Sequence, residues 1–301
     1  MGFAIVVLNY NDRKNTINYV NSIKDYNTVN KIIVVDNNST VSNEVKELNI
    51  LASEKVEIIS SQSNGGYASG NNIGLKYLEK IGNYEFVAIS NPDVAVEEET
   101  LIKCIEHLKT NKKVSIVTPR MHFVNGPARR AAWKKRTVLV DIANSTRITE
   151  FLMYFIQRAG EYTKKDYSKS VLNVENVAGS FFIAKYDSLK KIGYLDENTF
   201  LFYEEDILGH KIKNIGNDIH ILNELKFMHY DSQTIGKMMN MFKKLDILFD
   251  SKIYYHKKYN NANGFQICIF KALRIVRKVE LLTEVPIRKL YQVIKNKKWF
   301  F

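Results

Sequence analysis

The sequence predicts an α/β protein: a mostly parallel sheet flanked by helices, followed by a basic helical C-terminal extension. Three observations predict it. Short β-branched runs alternate with segments of helical spacing through the first third, those runs are continuously rather than alternately apolar, and Lys and Arg accumulate towards the end. A strand that is apolar throughout is buried on both faces, which calls for helices on both sides and favours parallel pairing.

Residues 3–8 form the first predicted strand, apolar until the polar Asn9-Tyr10-Asn11-Asp12. The run is too short for the apolar core of a secretory signal, and no basic stretch precedes it. Residues 31–35, 56–60 and 86–89 repeat the pattern, and residues 15–23, 41–51 and 72–81 between them carry apolar side chains at helical spacing. Periodicity weakens from 120 to 171, a stretch marked by Arg129-Arg130 and Trp133-Lys134-Lys135-Arg136. It returns with a strand over 179–184, a helical turn over 187–192, a turn at 193–197 and a last strand over 218–222. The predicted domains are 1–235 and a helical, basic extension, 236–301.

At 45% hydrophobic and 25% charged residues the composition excludes disordered and fibrous classes. The net charge of +12 is uneven: from Gly264 onward nine basic residues face two acidic ones, so this stretch holds seven of the twelve charges. Such an excess fits a solvated basic face, an anionic lipid surface or nucleic acid. No nucleic-acid-binding module is recognisable, so no nucleic acid partner is expected. Phe265, Ile269, Ala272, Val276 and Val279 fall on one helical face with Lys271, Arg274 and Lys278 opposite, and the chain ends Lys297-Lys298-Trp299-Phe300-Phe301. These features favour C-terminal helices lying on an anionic membrane surface. No run approaches the roughly 20 apolar residues that span a bilayer. Cys104 and Cys268, far apart, imply neither a disulfide nor a zinc site and fit a reducing compartment.

In parallel sheets ligands bind beyond the carboxyl ends of the strands. The residues there are Asn9-Tyr10-Asn11, Asp36-Asn37-Asn38-Ser39, Ser63-Asn64-Gly65-Gly66 and Asn91-Pro92-Asp93. Any one group is ordinary turn chemistry, but four in succession at one sheet edge point to a ligand. Asp36 can accept from a base N–H or a ribose hydroxyl. The glycines at 65, 66 and 70 let a backbone approach a diphosphate at a helix start. Neither GxGxxG nor GxxxxGK[ST] is present, which removes the main support for dinucleotide and P-loop readings. Asp93 stands where a divalent cation bridges carboxylate and diphosphate, with Mg2+ or Mn2+ favoured by oxygen ligands and His229 a candidate second ligand. Glu204-Glu205-Asp206 open a helical segment whose Leu208, Ile212 and Ile215 share a face. The helix dipole stabilises carboxylates there, yet three together repel and raise one pKa towards the range of a general base.

Taken in order, these motifs, with Gly179-Ser180-Phe181-Phe182, Phe200 to Asp206 and His229, resemble the family 2 glycosyltransferases with the GT-A fold. Within them the chain looks closest to bacterial rhamnosyltransferase-like enzymes of capsule and O-antigen assembly. The resemblance covers residues 3–235. It implies that Asn9 and Asn11 line the nucleotide pocket, Asp36 holds the base, and Asn64 and Asn72 sit near ribose and phosphates. It implies that Asp93 is the metal ligand of a DxD-like motif, with His229 assisting and Asn91 standing where many relatives carry another acid. A gapless match of the helix sets Glu204-Glu205 on the family's Glu-Asp and Lys211 on its Arg, whereas literal identity sets Glu205-Asp206 there. Glu205 is the expected base, with Asp206 the alternative.

The implied activity is that of a metal-dependent inverting hexosyltransferase. It would move rhamnose or another hexose from a dTDP- or UDP-linked donor to a hydroxyl of a growing, lipid-linked cell-surface polysaccharide. The implied location is cytoplasmic, peripheral to the inner face of the membrane. A competing class, a catalytically silent lipid- or nucleic-acid-binding protein using the basic tail, predicts no nucleotide-sugar binding. A nucleotidyltransferase needs a basic phosphate loop after the first strand, where Asn9-Tyr10-Asn11-Asp12 stands instead.

Overall fold

The computed structural model describes residues 2–128, 131–230 and 240–297, with side chains through Glu284. Arg129-Arg130 and the terminal Lys298-Trp299-Phe300-Phe301, singled out above, lie outside the described residues. Contacts divide the chain into two units, Met1–Lys135 with Glu161–Met238, and Arg136–Gly160 with Met239–Phe301.

The first unit is built on one large sheet. It begins β1 (Gly2–Asn9), α1 (Arg13–Ile23), β2 (Lys31–Asp36), α2 (Glu44–Leu48), β3 (Val56–Ser60), α3 (Gly66–Ile81) and β4 (Tyr84–Ser90). It continues with β5 (Val94–Ala95), α4 (Glu98–Thr110), β6 (Val114–Phe123), β7 (Gly126–Pro127) and β8 (Ala132–Trp133). After an excursion into the second unit through α5 (Val138–Ala143), α6 (Arg147–Leu152) and α7 (Tyr154–Arg158), the sheet resumes. Its last elements are β9 (Val171–Val174), β10 (Asn176–Val177), β11 (Phe181–Lys185), α8 (Tyr186–Lys191), α9 (Glu204–Asn214) and β12 (Asp218–His229).

The strand order is β3-β2-β1-β4-β11-β6-β12-β5. The first four of these are mutually parallel, β11 runs antiparallel between β4 and β6, and β12 is parallel to β6. Along β1, Phe3, Ile5 and Val7 pack to one side with Val20 and Leu101, while Ala4 and Val6 pack to the other with Leu75, Leu78, Leu208 and Ile212. Burial on both faces explains the unbroken apolar runs, and each fully buried aliphatic stabilises by about 1.5–3 kcal/mol.

Two elements exceed their expected bounds at one end by more than a turn of helix or two residues of strand. Helix α3 begins at Gly66 rather than 72, since a Cβ at Gly70 or Gly74 would overlap Leu8 or Val6. These glycines therefore let the helix lie close on β1 rather than break it. Strand β12 runs past 222 to His229, with its register to β6 shifting between Leu222 and Lys226.

The second unit is helical: α5, α6 and α7 with α10 (Met241–Tyr259) and α11 (Gly264–Lys297). The aperiodic residues 136–160 thus join the C-terminal helices in one body. Leu245, Phe249 and Leu281 form its apolar centre. A buried polar knot closes it, with His256 Nε2 2.8 Å from Asp141 Oδ2 and Lys252 Nζ donating to Ser145 Oγ at 2.9 Å. Burial alone would raise the Asp141 pKa, but the charge of Lys252 and the His256 bond outweigh it and hold the carboxyl below its ordinary range. The Glu280 carboxylate on α11 accepts from the Arg147 and Ile148 amides at 2.9 and 3.2 Å, capping α6.

Candidate active site

The carboxyl ends of β1 and β2 meet in a buried polar network. Asn9 Nδ2 donates to Asp36 Oδ1 at 2.8 Å, and Thr16 Oγ1 donates to Asn9 Oδ1 at 2.7 Å. Asp36 also accepts from the Ser39 amide and hydroxyl, and Asn11, in the left-handed region at φ 53°, accepts from the Thr40 and Val41 amides. The three polar residues expected at the nucleotide therefore gather in one place, with Asn9 and Asp36 already oriented by the protein.

Asn64 Oδ1 accepts from the Gly66 amide and from Asn37 Nδ2, an Asx turn that launches α3. Asn72 is placed differently from its neighbours. Its amide donates to Leu195 O and Glu197 Oε1 and its carbonyl accepts from the Leu195 amide, so it ties α3 to the loop before α9. Gly66, at φ +88°, is part of the same joint: the Tyr67 amide donates to Phe200 O at 3.1 Å, and a Cβ at 66 would overlap that carbonyl.

Phe202 and Tyr203 then adopt successive left-handed conformations, φ 73° and 69°, before α9 opens on the acidic trio. Non-glycine residues in that region store strain, which concentrates at functional sites. The three carboxylates have different surroundings. Glu204 is buried, and burial followed by the charge of Glu205 pushes its pKa up to about 8. Asp206 is buried and accepts from the Trp133 indole N–H at 2.8 Å. Glu205 is the half-buried member, and its Oε1 accepts from the Gly179 amide at 3.2 Å. Tyr67 donates to the Gly179 carbonyl at 2.5 Å, and burial, then Glu205 and Glu204, holds its phenol well above the usual range. A Cβ at Gly179 would sit about as close to the Tyr67 hydroxyl (2.9 Å) as to Glu205 Oε1 (3.0 Å), so the glycine makes room for both.

The second carboxylate station adjoins the first through the sheet. Gly179, which holds Glu205, precedes Ser180, whose carbonyl accepts from the Asn91 amide at 2.8 Å, and Asp93 lies two residues on. Asp93 Oδ1 is 3.3 Å from His229 Nε2, brought there by the antiparallel pairing of β12 with β5. His229 Nδ1 is buried without a hydrogen-bond partner. Carboxylate oxygen, imidazole nitrogen and diphosphate oxygens form a set that a divalent cation accepts. Among the described residues no group of three or more metal-type side chains gathers, so an ion here would rest on this pair and on the substrate's oxygens.

Two side chains at the site, Trp133 and Tyr67, were given no role from sequence. Trp133 reaches Asp206 from β8, which pairs with β10 in a separate two-stranded sheet. Tyr67 lies in a quoted motif but gives no sign there of its span to Gly179.

A mostly parallel sheet with this inserted antiparallel strand, and acidic stations after β4 and at the head of α9, define the GT-A glycosyltransferase architecture. Residues 4–193 match the model of Glycosyl transferase family 2, more than half the chain, and the chain belongs to that family. The low-salt glycan biosynthesis hexosyltransferase Agl10 of Haloferax volcanii is 27% identical over 204 residues, 67% of this chain and 58% of that protein. The match thus spans less than two thirds of the relative's length. Among solved structures, the mannosyltransferase PcManGT of Pyrobaculum calidifontis, in complex with GDP-Man and Mn2+, is similar with a TM-score of 0.56 at 13% identity, covering 98% of this chain and 82% of that one. TarS 1–349 of S. aureus, in complex with UDP-GlcNAc, gives 0.55 at 15% identity, covering 91% and 71%. At these identities the likeness shows the fold.

Proposed function

We propose that the protein transfers a hexose, with inversion, from a nucleoside-diphosphate donor to a hydroxyl of a lipid-linked glycan. The observation that carries this reading is the unequal treatment of the three carboxylates. Glu204 is buried with its proton favoured at neutral pH, Asp206 is committed to the Trp133 indole, and Glu205 alone is both half-buried and oriented by a backbone amide. Glu205 is therefore the base. It takes the proton of the acceptor hydroxyl as that oxygen bonds to the anomeric carbon, and the electron pair of the breaking C–O bond leaves with the diphosphate. Asn9, Asn11, Asp36 and Asn64 hold the nucleotide, Asn91 and Asp93 flank the diphosphate, and Asn72 fixes the loop that presents the base.

Asp93 and His229 would hold Mg2+ or Mn2+, which supplies charge neutralisation at the leaving diphosphate. Two solved relatives of the fold carry Mn2+ in their complexes, and relatives are found with GDP-Man and UDP-GlcNAc, which makes hexose donors of this kind the first to try. The capsule or O-antigen role, rhamnose as the sugar, and a peripheral position at the inner membrane face through the basic C-terminal helices belong to the same proposal.

The test is nucleotide release from a panel of UDP-, GDP- and dTDP-hexoses with a lipid-linked acceptor, with and without Mn2+ or Mg2+. Turnover is expected to vanish with EDTA and return with metal, and Glu205→Gln is expected to remove it while donor binding persists. Asp206→Asn separates the two candidate bases: if it silences turnover while Glu205→Gln does not, the base is Asp206. Absence of turnover with every donor overturns the proposal.

A further inference from the structure

Among the described residues, eleven of the nineteen exposed large apolar side chains lie in the helical unit, which has 88 of the 301 residues. They are not scattered. Across α6 and α7, which Met153 separates, Ile148, Phe151, Leu152 and Phe155 keep the i, i+3, i+4, i+7 spacing of an amphipathic segment, yet all four are open to solvent, with Phe151 at 83% and Phe155 at 87% exposure. Amphipathic segments normally turn such a face inward. Helix α11 repeats the anomaly. Its Phe270 and Leu281 are buried, while Phe265, Ile275, Val279 and Leu282 form a second apolar stripe on the solvent side. This stripe is centred differently from the face expected from sequence, where Ile269 and Val276 stood in place of Ile275 and Leu282.

Charge identifies what covers these residues. The helical unit holds 17 basic and 6 acidic residues, eleven of the chain's twelve net positive charges, and leaves the sheet unit near neutrality. Two copies meeting through surfaces of like charge repel, whereas an anionic bilayer offers opposite charge and an apolar interior together. The edges of the apolar faces have interfacial character. Arg147, paired with Glu150, and Arg158 bracket α6 and α7, the Arg158 guanidinium lies 4.9 Å from the Tyr154 ring centre, and Lys271 and the Asp246-paired Lys278 flank the α11 stripe.

We infer that α6, α7 and the solvent-side stripe of α11 are a docking surface for an anionic lipid bilayer, with Phe151, Leu152 and Phe155 the inserted side chains. This deepens the membrane-side reading above by naming the element that inserts, residues 147–158, outside the C-terminal extension itself. It rests on that reading only for its purpose, because lipid binding is measured without turnover.

The test is flotation of the full chain with vesicles of phosphatidylcholine containing about 30 mol% phosphatidylglycerol, against phosphatidylcholine alone. The chain is expected to float with the anionic vesicles only, and Phe151→Ser with Phe155→Ser is expected to reduce partitioning on the order of tenfold or more. Both side chains are too exposed for the variant to disturb folding, which an unchanged thermal melt checks. Failure of the parent to bind, or equal binding by the double variant, overturns the inference. So does a parent dimer that the double variant converts to monomer, since the stripe would then be a contact between copies. Donor hydrolysis without vesicles is followed in parallel. Its loss with vesicle binding intact sinks the catalytic proposal alone, and the reverse sinks only this one.

Discussion

The two units place their charge in opposite ways. The sheet unit is nearly neutral and takes carboxylates inside, where Asp36 and Asp206 are buried and oriented by specific donors and Glu204 is buried close to Asp206 in the chain. The helical unit keeps one buried ionic knot at Asp141, pairs Arg274, Arg277 and Lys278 with carboxylates of its own helices, and sets Arg158 beside the exposed Tyr154 ring. Burial raises the proton affinity of Glu204 and donors fix the direction of its neighbours, which suits chemistry; exposed cations beside apolar surface suit adhesion. Single substitutions should therefore act steeply in the first unit and weakly, on turnover, in the second.

The largest expected effect is at Glu205. Glu205→Gln should lower kcat about 1000-fold with donor affinity retained, measured by nucleotide release and by titration calorimetry. Next is Gly66→Ala, which forces a side chain into the left-handed region against the Phe200 carbonyl. Urea unfolding should show roughly 3 kcal/mol or more of lost stability. Trp133→Phe deletes the indole donor of Asp206 and should cost roughly 1–3 kcal/mol by the same measurement.

Glu204→Gln tests the buried proton. The folded pKa of about 8 lies above the ordinary 4.5, so the parent loses stability as pH rises through this window, whereas glutamine does not ionise. The melting temperature of the variant relative to the parent should climb from pH 5 to pH 9; a flat difference would mean that Glu204 is ionised throughout. The smallest expected effect is that of the Phe151→Ser, Phe155→Ser pair on turnover with a water-soluble acceptor, which should match the parent within about twofold. A large loss there would break the division of labour between the units.

The parallel half of the sheet was legible because β1, β2, β3 and β4 carry continuous rather than alternating apolar runs and end in polar residues. The fold class and the Asp93 station could be read from those ends, and the Glu204 to Asp206 station from the helix that it opens. Strand β6 was harder: Pro119 interrupts it, and its pairing partner β12 changes register opposite that region. The antiparallel insertion of β11 leaves no trace in composition, because a strand buried between two neighbours is equally apolar in either direction. Residues 136–160 lacked a readable period since three helices of five or six residues each are too short to show one. Within the acidic trio the sequence favoured Glu205 but kept Asp206 as the alternative, because what distinguishes them is contact with Gly179 and Trp133, distant in the chain.

The close seat of Gly66 against Phe200 has a consequence for engineering and descent. The backbone that begins α3 and the backbone that leads into α9 were moulded against each other, and Asn72 locks the same joint through Leu195. A chimera that imports residues 63–74 from a relative to change donor choice would need that relative's residues 195–206 as well. Specificity in this scaffold should travel as a matched pair of segments, inherited or transplanted together.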